Sequence, residues 1–221
     1  MIDEIQMEET NNYEKWCEQW RAKFLKMDQE ELKRRLPELK EEGNRLTICH
    51  FGRKLGVHKE NGRILAMDDQ DPVTCYERLN VYTLFGYVSS SARYKDNWVR
   101  FDQLKDTSPF SKAFQKGVIE PFSRMFSGHV KELSQACEKL GGKKLPWSDA
   151  GYELKAFACI PVRFLFWDGD DEFPAQGNLL FDASATDFIH GESVVTIAAI
   201  GLDRIAKLAG VPMDRSAFPI F

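Results

Sequence analysis

Asp168, Asp170, Asp171 and Glu172 crowd around Gly169 at the end of the apolar run Val162-Arg-Phe-Leu-Phe-Trp167, and Phe173-Pro174 close the cluster on its far side. Carboxylates gathered in this way can bind a hard cation, or can split their pKa values by mutual repulsion and so act as a general acid–base pair. The same residues also suit a hairpin or loop tip, because Asp-Gly is turn chemistry. The spacing fails the calcium-loop pattern: Phe173 stands where a sharp-turn glycine belongs, and Leu179 where the closing Glu belongs. Arg163, in the middle of the apolar run, is either an outward residue on a half-exposed strand or an inward one paired with an acidic neighbour, since an unpaired buried charge is prohibitive. The candidate ligand-binding residues are therefore Arg163, Trp167, Asp168, Asp170, Asp171 and Glu172. The flanking aromatics predict that at least one carboxylate, Asp168 or Glu172, is partly buried and held by backbone N–H groups or by Arg163.

Other reactive types are dispersed. Cys49-His50 and His58 fall on neighbouring extended segments, with Cys75 further on, but zinc wants four ligands in tight pairs and no second pair exists. Ordinary packing is the expectation, with no metal site. Cys17, Cys137 and Cys159 sit in apolar context as small hydrophobes. Ser89-Ser-Ser91 offers hydroxyls without a visible base. No dinucleotide fingerprint, Walker loop, nucleophile elbow or His-Glu-x-x-His is present. The residues thus assign neither a catalytic group nor a cofactor, and whether the chain is an enzyme stays open.

Composition narrows the field. With 221 residues, 43% of them apolar, the chain can bury a sizeable core as one domain. A net charge of −4 argues against a nucleic-acid partner, whose phosphates demand a basic face. Five scattered cysteines, odd in number, do not form a disulfide framework and suit a reducing cytoplasm. The acidic opening lacks the apolar core of a signal peptide, and no apolar run reaches the roughly 20 residues of a membrane helix.

The elements that would position these residues read as α+β. Residues 1–9 are expected to be frayed. From Tyr13, the spacing of Trp16, Cys17, Trp20, Phe24 and Met27 predicts a helix. Asp28 and Glu31 form a potential capping box for a second one, ended by Pro37. Residues 46–51 read as a strand, 54–66 as a hairpin turning on Asn61-Gly62 in type I′ geometry, and Asp71-Pro72 as the start of a long helix. A strand at 97–101 precedes a helical stretch from Ser108-Pro109 that Gly117 and Pro121 divide. A helix ending at Gly141-Gly142 follows, then strands at 152–158 and 162–167. Residues 192–209 predict a helix with Ile197, Gly201, Ile205 and Leu208 toward the core and Asp203, Arg204 and Lys207 on the opposite face. The sum is a single α+β domain over residues 10–221, with antiparallel strands and hairpins packed with several helices.

Leu140-Gly-Gly142, Leu165-Phe-Trp-Asp-Gly-Asp-Asp-Glu-Phe-Pro-Ala175, Leu180-Phe-Asp-Ala-Ser184 and Asp187-Phe-Ile189 resemble a prokaryotic family, domain of unknown function 3786. Leu55-Gly-Val57, Tyr87 and Trp98-Val-Arg-Phe101 fit the same pattern, so the resemblance spans about residues 45–205. It implies a setting among anaerobic bacteria and archaea, and no established reaction or catalytic residue. Some members carry an added four-cysteine iron–sulfur module resembling that of corrinoid proteins. The present chain has no such cysteine array. The expectation is a non-catalytic ligand-binding or accessory protein of anaerobic metabolism. The alternatives are an enzyme using residues 168–172, with or without a divalent metal, and a module that docks a partner protein.

Overall fold

A computed structural model describes the backbone of residues 2–213 and the side chains of residues 12–213. Helix α1, Ile2–Phe24, turns Tyr13, Cys17, Trp20 and Phe24 inward along one stripe. Residues 2–9, expected to be frayed, have helical backbone at the start of α1, and their side chains lie outside those described. Helix α2, Gln29–Arg35, starts at Asp28, whose carboxylate accepts from the N–H groups of Glu30 and Glu31. The reciprocal half of the predicted capping box does not form, because Glu31 is drawn to Arg34 and Arg35 instead.

Two antiparallel sheets follow. In the first, strands β1 (Lys40–Glu42), β2 (Arg45–His50), β3 (Arg53–His58) and β4 (Ile64–Ala66) lie in chain order. The two-residue turn with positive φ at both positions joins β2 to β3 through Phe51 (φ 46°) and Gly52 (φ 75°), where His50 pairs with Arg53. This corrects the sequence expectation. Only Gly62 of the Asn61-Gly62 pair has positive φ, and the β3–β4 loop is longer, closed by His58 N–H to the Arg63 carbonyl at 2.8 Å. Phe51 accepts left-handed backbone because its ring is buried and its N–H reaches the Ala156 carbonyl at 3.0 Å, which joins the first sheet to the second.

Helix α3 is Cys75–Tyr87. It begins later than Asp71-Pro72 suggested, because Thr74 and Glu77 form a complete capping box while Asp71 and Pro72 lend their carbonyls to Arg53. Strand β5 is Trp98–Arg100. From residue 108 to 126 the chain is helical, with α4 at Ser111–Phe114 and α5 at Glu120–Phe126. Between them the ladder widens: the Glu120 N–H bonds Gln115 five residues back, just before Pro121, which has no N–H to continue it. Helix α6, Val130–Lys139, ends at Gly141 (φ 73°), and the Gly142 N–H returns to the Cys137 carbonyl at 2.9 Å.

The second sheet has the order β5-β9-β8-β7-β6, with β6 Lys143–Lys144, β7 Ala150–Phe157, β8 Ile160–Trp167 and β9 Gln176–Asp182. Phe164 and Phe166 of β8 meet Phe122 of α5, so the helices cover one face of this sheet. A short α7, Ala185–Phe188, leads to α8, Gly191–Ala209. Fourteen of the nineteen α8 residues are buried, which makes it a central helix packed between α3 and α6, with the rings of Phe51 and Phe164 against Gly201, rather than an amphipathic one. Two expectations change accordingly: Asp203 is buried, and Leu208 is 40% exposed. Among the described residues no helix is long and apolar enough to cross a membrane.

Candidate functional site

The acidic segment leaves β8 as a loop whose carboxylates serve its own backbone. Half-buried Asp168 accepts from the N–H groups of Gly128 and Gly169, both at 2.9 Å, and its own N–H bonds Asp149 at 2.8 Å. Asp170 accepts from the N–H groups of Phe173 at 2.7 Å and Glu172 at 2.9 Å, which hold its carboxyl below the usual carboxylate range. Asp171 and Glu172 are exposed. Asp168, Asp170 and Asp171 line an open cavity of about 640 Å³ together with Ser123 and Arg124. Trp167, 40% exposed, Glu172 and Arg163 do not line it. Arg163 points to the uncovered face of the second sheet, where it pairs with Glu153 at 3.0 Å and its guanidinium lies 3.6 Å from the centroid of the Trp98 ring. The acidic neighbour that satisfies this arginine is therefore Glu153, its cross-strand partner, and the six candidate residues do not converge.

Nor do the cysteine and histidine candidates. Cys49 is exposed on β2 while His50 is buried, and His58, at the far end of β3, accepts from the N–H groups of Glu60 and Asn61. Cys75 lends its carbonyl to the Cys17 thiol at 3.2 Å. Burial pushes the Cys17 and Cys137 thiols up to about 12, and those of Cys75 and Cys159 upward as well, away from the thiolate a nucleophile needs. Among the described residues no group of three or more His, Cys, Asp or Glu side chains could hold a metal ion.

The polar groups that do converge lie between α3 and α8. Glu77, Asn80 and Thr83 repeat every three residues along α3, and Ser193, Thr196 and Asp203 run along α8; all six are buried. The Ser193 hydroxyl donates to Thr83 at 3.1 Å, and the Thr196 hydroxyl donates to Asn80 Oδ1 at 2.6 Å. The Asn80 amide in turn meets His50 Nε2 at 3.1 Å. Burial, then the positive charges of Arg204 and Arg53, hold the His50 ring down to about 3, so it is neutral. Toward the end of this seam, Arg53 and Glu77 form a buried ion pair at 2.8 Å. Such a row of buried polar groups must be satisfied to be tolerated, and each hydroxyl in it is.

The seam opens at both ends. At the start of α8, Tyr13, Trp16 and Trp20 of α1 and Tyr87 of α3 wall a cavity of about 280 Å³, whose floor carries the hydroxyls of Thr83, Ser193 and Thr196. The Trp20 and Tyr87 rings are 5.6 Å apart, Tyr87 lies 5.2 Å from the His190 ring, and Lys23 Nζ sits 3.9 Å from the Trp20 ring centroid. At the other end a cavity of about 200 Å³ is lined by charged side chains, among them Arg53, Asp71, Asp203 and Arg204. In the sequence, Trp16 and Trp20 read only as a core stripe, and Trp16 is in fact 44% exposed at the pocket. The signal that marks the seam is polar residues at helical spacing inside two otherwise apolar stripes.

Residues 28–204 match the family model described as Domain of unknown function (DUF3786), and the chain belongs to that family. The match contains α3, β3 and α8 as far as Arg204, and leaves α1 outside it. No curated protein and no solved structure matches the chain.

Proposed function

We propose that the chain is a non-catalytic binding protein for a small organic ligand, held between α1, α3 and α8. The observation that carries this reading is the cavity with aromatic walls and a hydroxyl floor. Small-molecule sites combine apolar walls with a few placed polar groups, and about 280 Å³ falls just below their usual range of roughly 300–1,000 Å³, which suits a ligand of few atoms. An apolar ring would pack against Trp20 and Tyr87, which touch each other along the cavity wall, and a hydrogen-bonding head group would reach Ser193 and Thr83. The hydroxyls support binding rather than chemistry, because Thr83, Ser193 and Thr196 bond carbonyls, one another or Asn80, and never a histidine or carboxylate that could take a proton. The setting in anaerobic metabolism rests on the family resemblance, and the dispersed cysteines support a cytoplasmic one.

Saturation-transfer NMR with a set of ring compounds bearing one hydroxyl, phenol first among them, tests the reading. Binding should quench tryptophan fluorescence and fall at least fivefold in Trp20→Ala and Ser193→Ala. A set without binders, or binders indifferent to both substitutions, removes it.

A further inference from the structure

The charged cavity at the far end of the seam holds a guanidinium that, among the described residues, makes no ion pair, although it feels the charge of Asp69. Arg204, in the last turns of α8, is half-buried, its Nε is enclosed, and that atom hydrogen-bonds nothing. The other cations of this cavity are committed. Arg53 gives its N–H groups to Asp69, to Glu77 and to the carbonyls of Pro72 and Asp71, and Lys207 pairs with Asp203 at 2.8 Å. Among the described residues no carboxylate lies within ion-pair reach of Arg204. A guanidinium cannot escape its desolvation by losing a proton, so an oxyanion from outside is the natural partner for it, and its planar fork fits a carboxylate.

One lining carboxylate is equally uncommitted. Asp71 is exposed at the mouth, and its side chain has no hydrogen bond or ion pair among the described residues, although its backbone is fixed to Arg53. The lining as a whole carries Arg53, Arg204 and Lys207 against Asp69, Asp71, Glu77 and Asp203, a surplus of one negative charge. A simple anion would deepen that surplus, and a dianion such as phosphate would deepen it further. A molecule with both charges leaves it unchanged and answers both open groups.

We infer that this cavity is a site for a small zwitterionic amino acid, with the ligand carboxylate on Arg204 and the ligand ammonium on Asp71. The volume of about 200 Å³ accommodates a small amino acid, since a cavity of roughly 150 Å³ already holds a molecule of benzene's size. The site shares no lining residue with the aromatic cavity, so the two readings stand or fall separately.

Glycine and L-alanine are titrated into the full chain, with the Arg204 Nε–Hε cross-peak followed by ¹H–¹⁵N NMR and acetate and methylammonium run as single-charge controls at equal ionic strength. Saturable shifts with glycine or alanine are expected, with each control at least tenfold weaker. Arg204→Gln and Asp71→Asn should each weaken binding at least tenfold. Neither removes a partnered side chain, and circular dichroism should confirm that both fold. Absence of binding, acetate binding as tightly as glycine, or glycine binding unchanged in Arg204→Gln would each overturn the assignment.

Discussion

Asn80 and His50 face each other at 3.1 Å inside the core, one from α3 and the other from β2, with neither side chain reaching solvent. The contact is to His50 Nε2, and His50 Nδ1 is buried without a partner. A protonated ring would add a second N–H with no acceptor, beside Arg53 and Arg204. The folded protein therefore keeps the ring neutral down to about pH 3, whereas the unfolded chain protonates it near 6.5.

The sign of the consequence follows from linkage. Between those two values the unfolded state binds the extra proton, so stability rises with pH. The His50 contribution is complete above 6.5 and is lost as pH falls toward 3. Its limiting slope is about 1.4 kcal/mol per pH unit. Urea melts of the native chain and of His50→Gln between about pH 4 and pH 6 measure it: the native curve should be the steeper, and parallel curves would show that His50 titrates alike in both states.

The fold was legible wherever one periodicity dominated and opaque wherever a tertiary contact decided. The stop of α6 at Gly141, the irregularity around Gly117 and Pro121 and the span of α8 are local chemistry, visible in the residue types themselves. The start of α3 is not: Asp71-Pro72 is a good helix opening, but Arg53 takes both carbonyls and leaves the cap to Thr74 and Glu77. Likewise Asn61-Gly62 outranks Phe51-Gly52 as a tight-turn signal, yet the buried Phe51 ring holds the positive φ. For the candidate site the gap is wider. A cluster of four carboxylates is conspicuous along the chain, while the α3–α8 seam is built from residues more than a hundred positions apart, each unremarkable alone.

The acidic loop yields a graded expectation. Asp168 holds two backbone N–H groups, one of them across the fold at Gly128, so Asp168→Ala should cost about 1 kcal/mol, as loss of a side-chain cap does. Asp170→Ala should also destabilise, because the N–H groups of Glu172 and Phe173 lose their acceptor. Asp171→Ala and Glu172→Ala should leave the urea midpoint in place. Equal effects at all four positions would mean that the loop is not organised by these two caps.

The last expectation concerns the tightest approach to α8. A methyl group at Gly201 would come within 2.6 Å of Phe51 Cζ and 2.9 Å of Phe164 Cζ. In an exposed helix Gly→Ala gains about 1 kcal/mol in propensity. Overpacking a filled core costs roughly 1–3 kcal/mol. The second effect should win, because neither ring can retreat: Phe51 is pinned by its φ of 46° and its bond to Ala156, and Phe164 is wedged against Phe122. Gly201→Ala should therefore lower the thermal midpoint. Leu202→Asp, one position on and fully buried, should lower it much further by placing a charge where no partner exists. The two substitutions separate steric from electrostatic cost: a stabilised Gly201→Ala would show that the rings yield, and a tolerated Leu202→Asp that α8 is not the centre of the core.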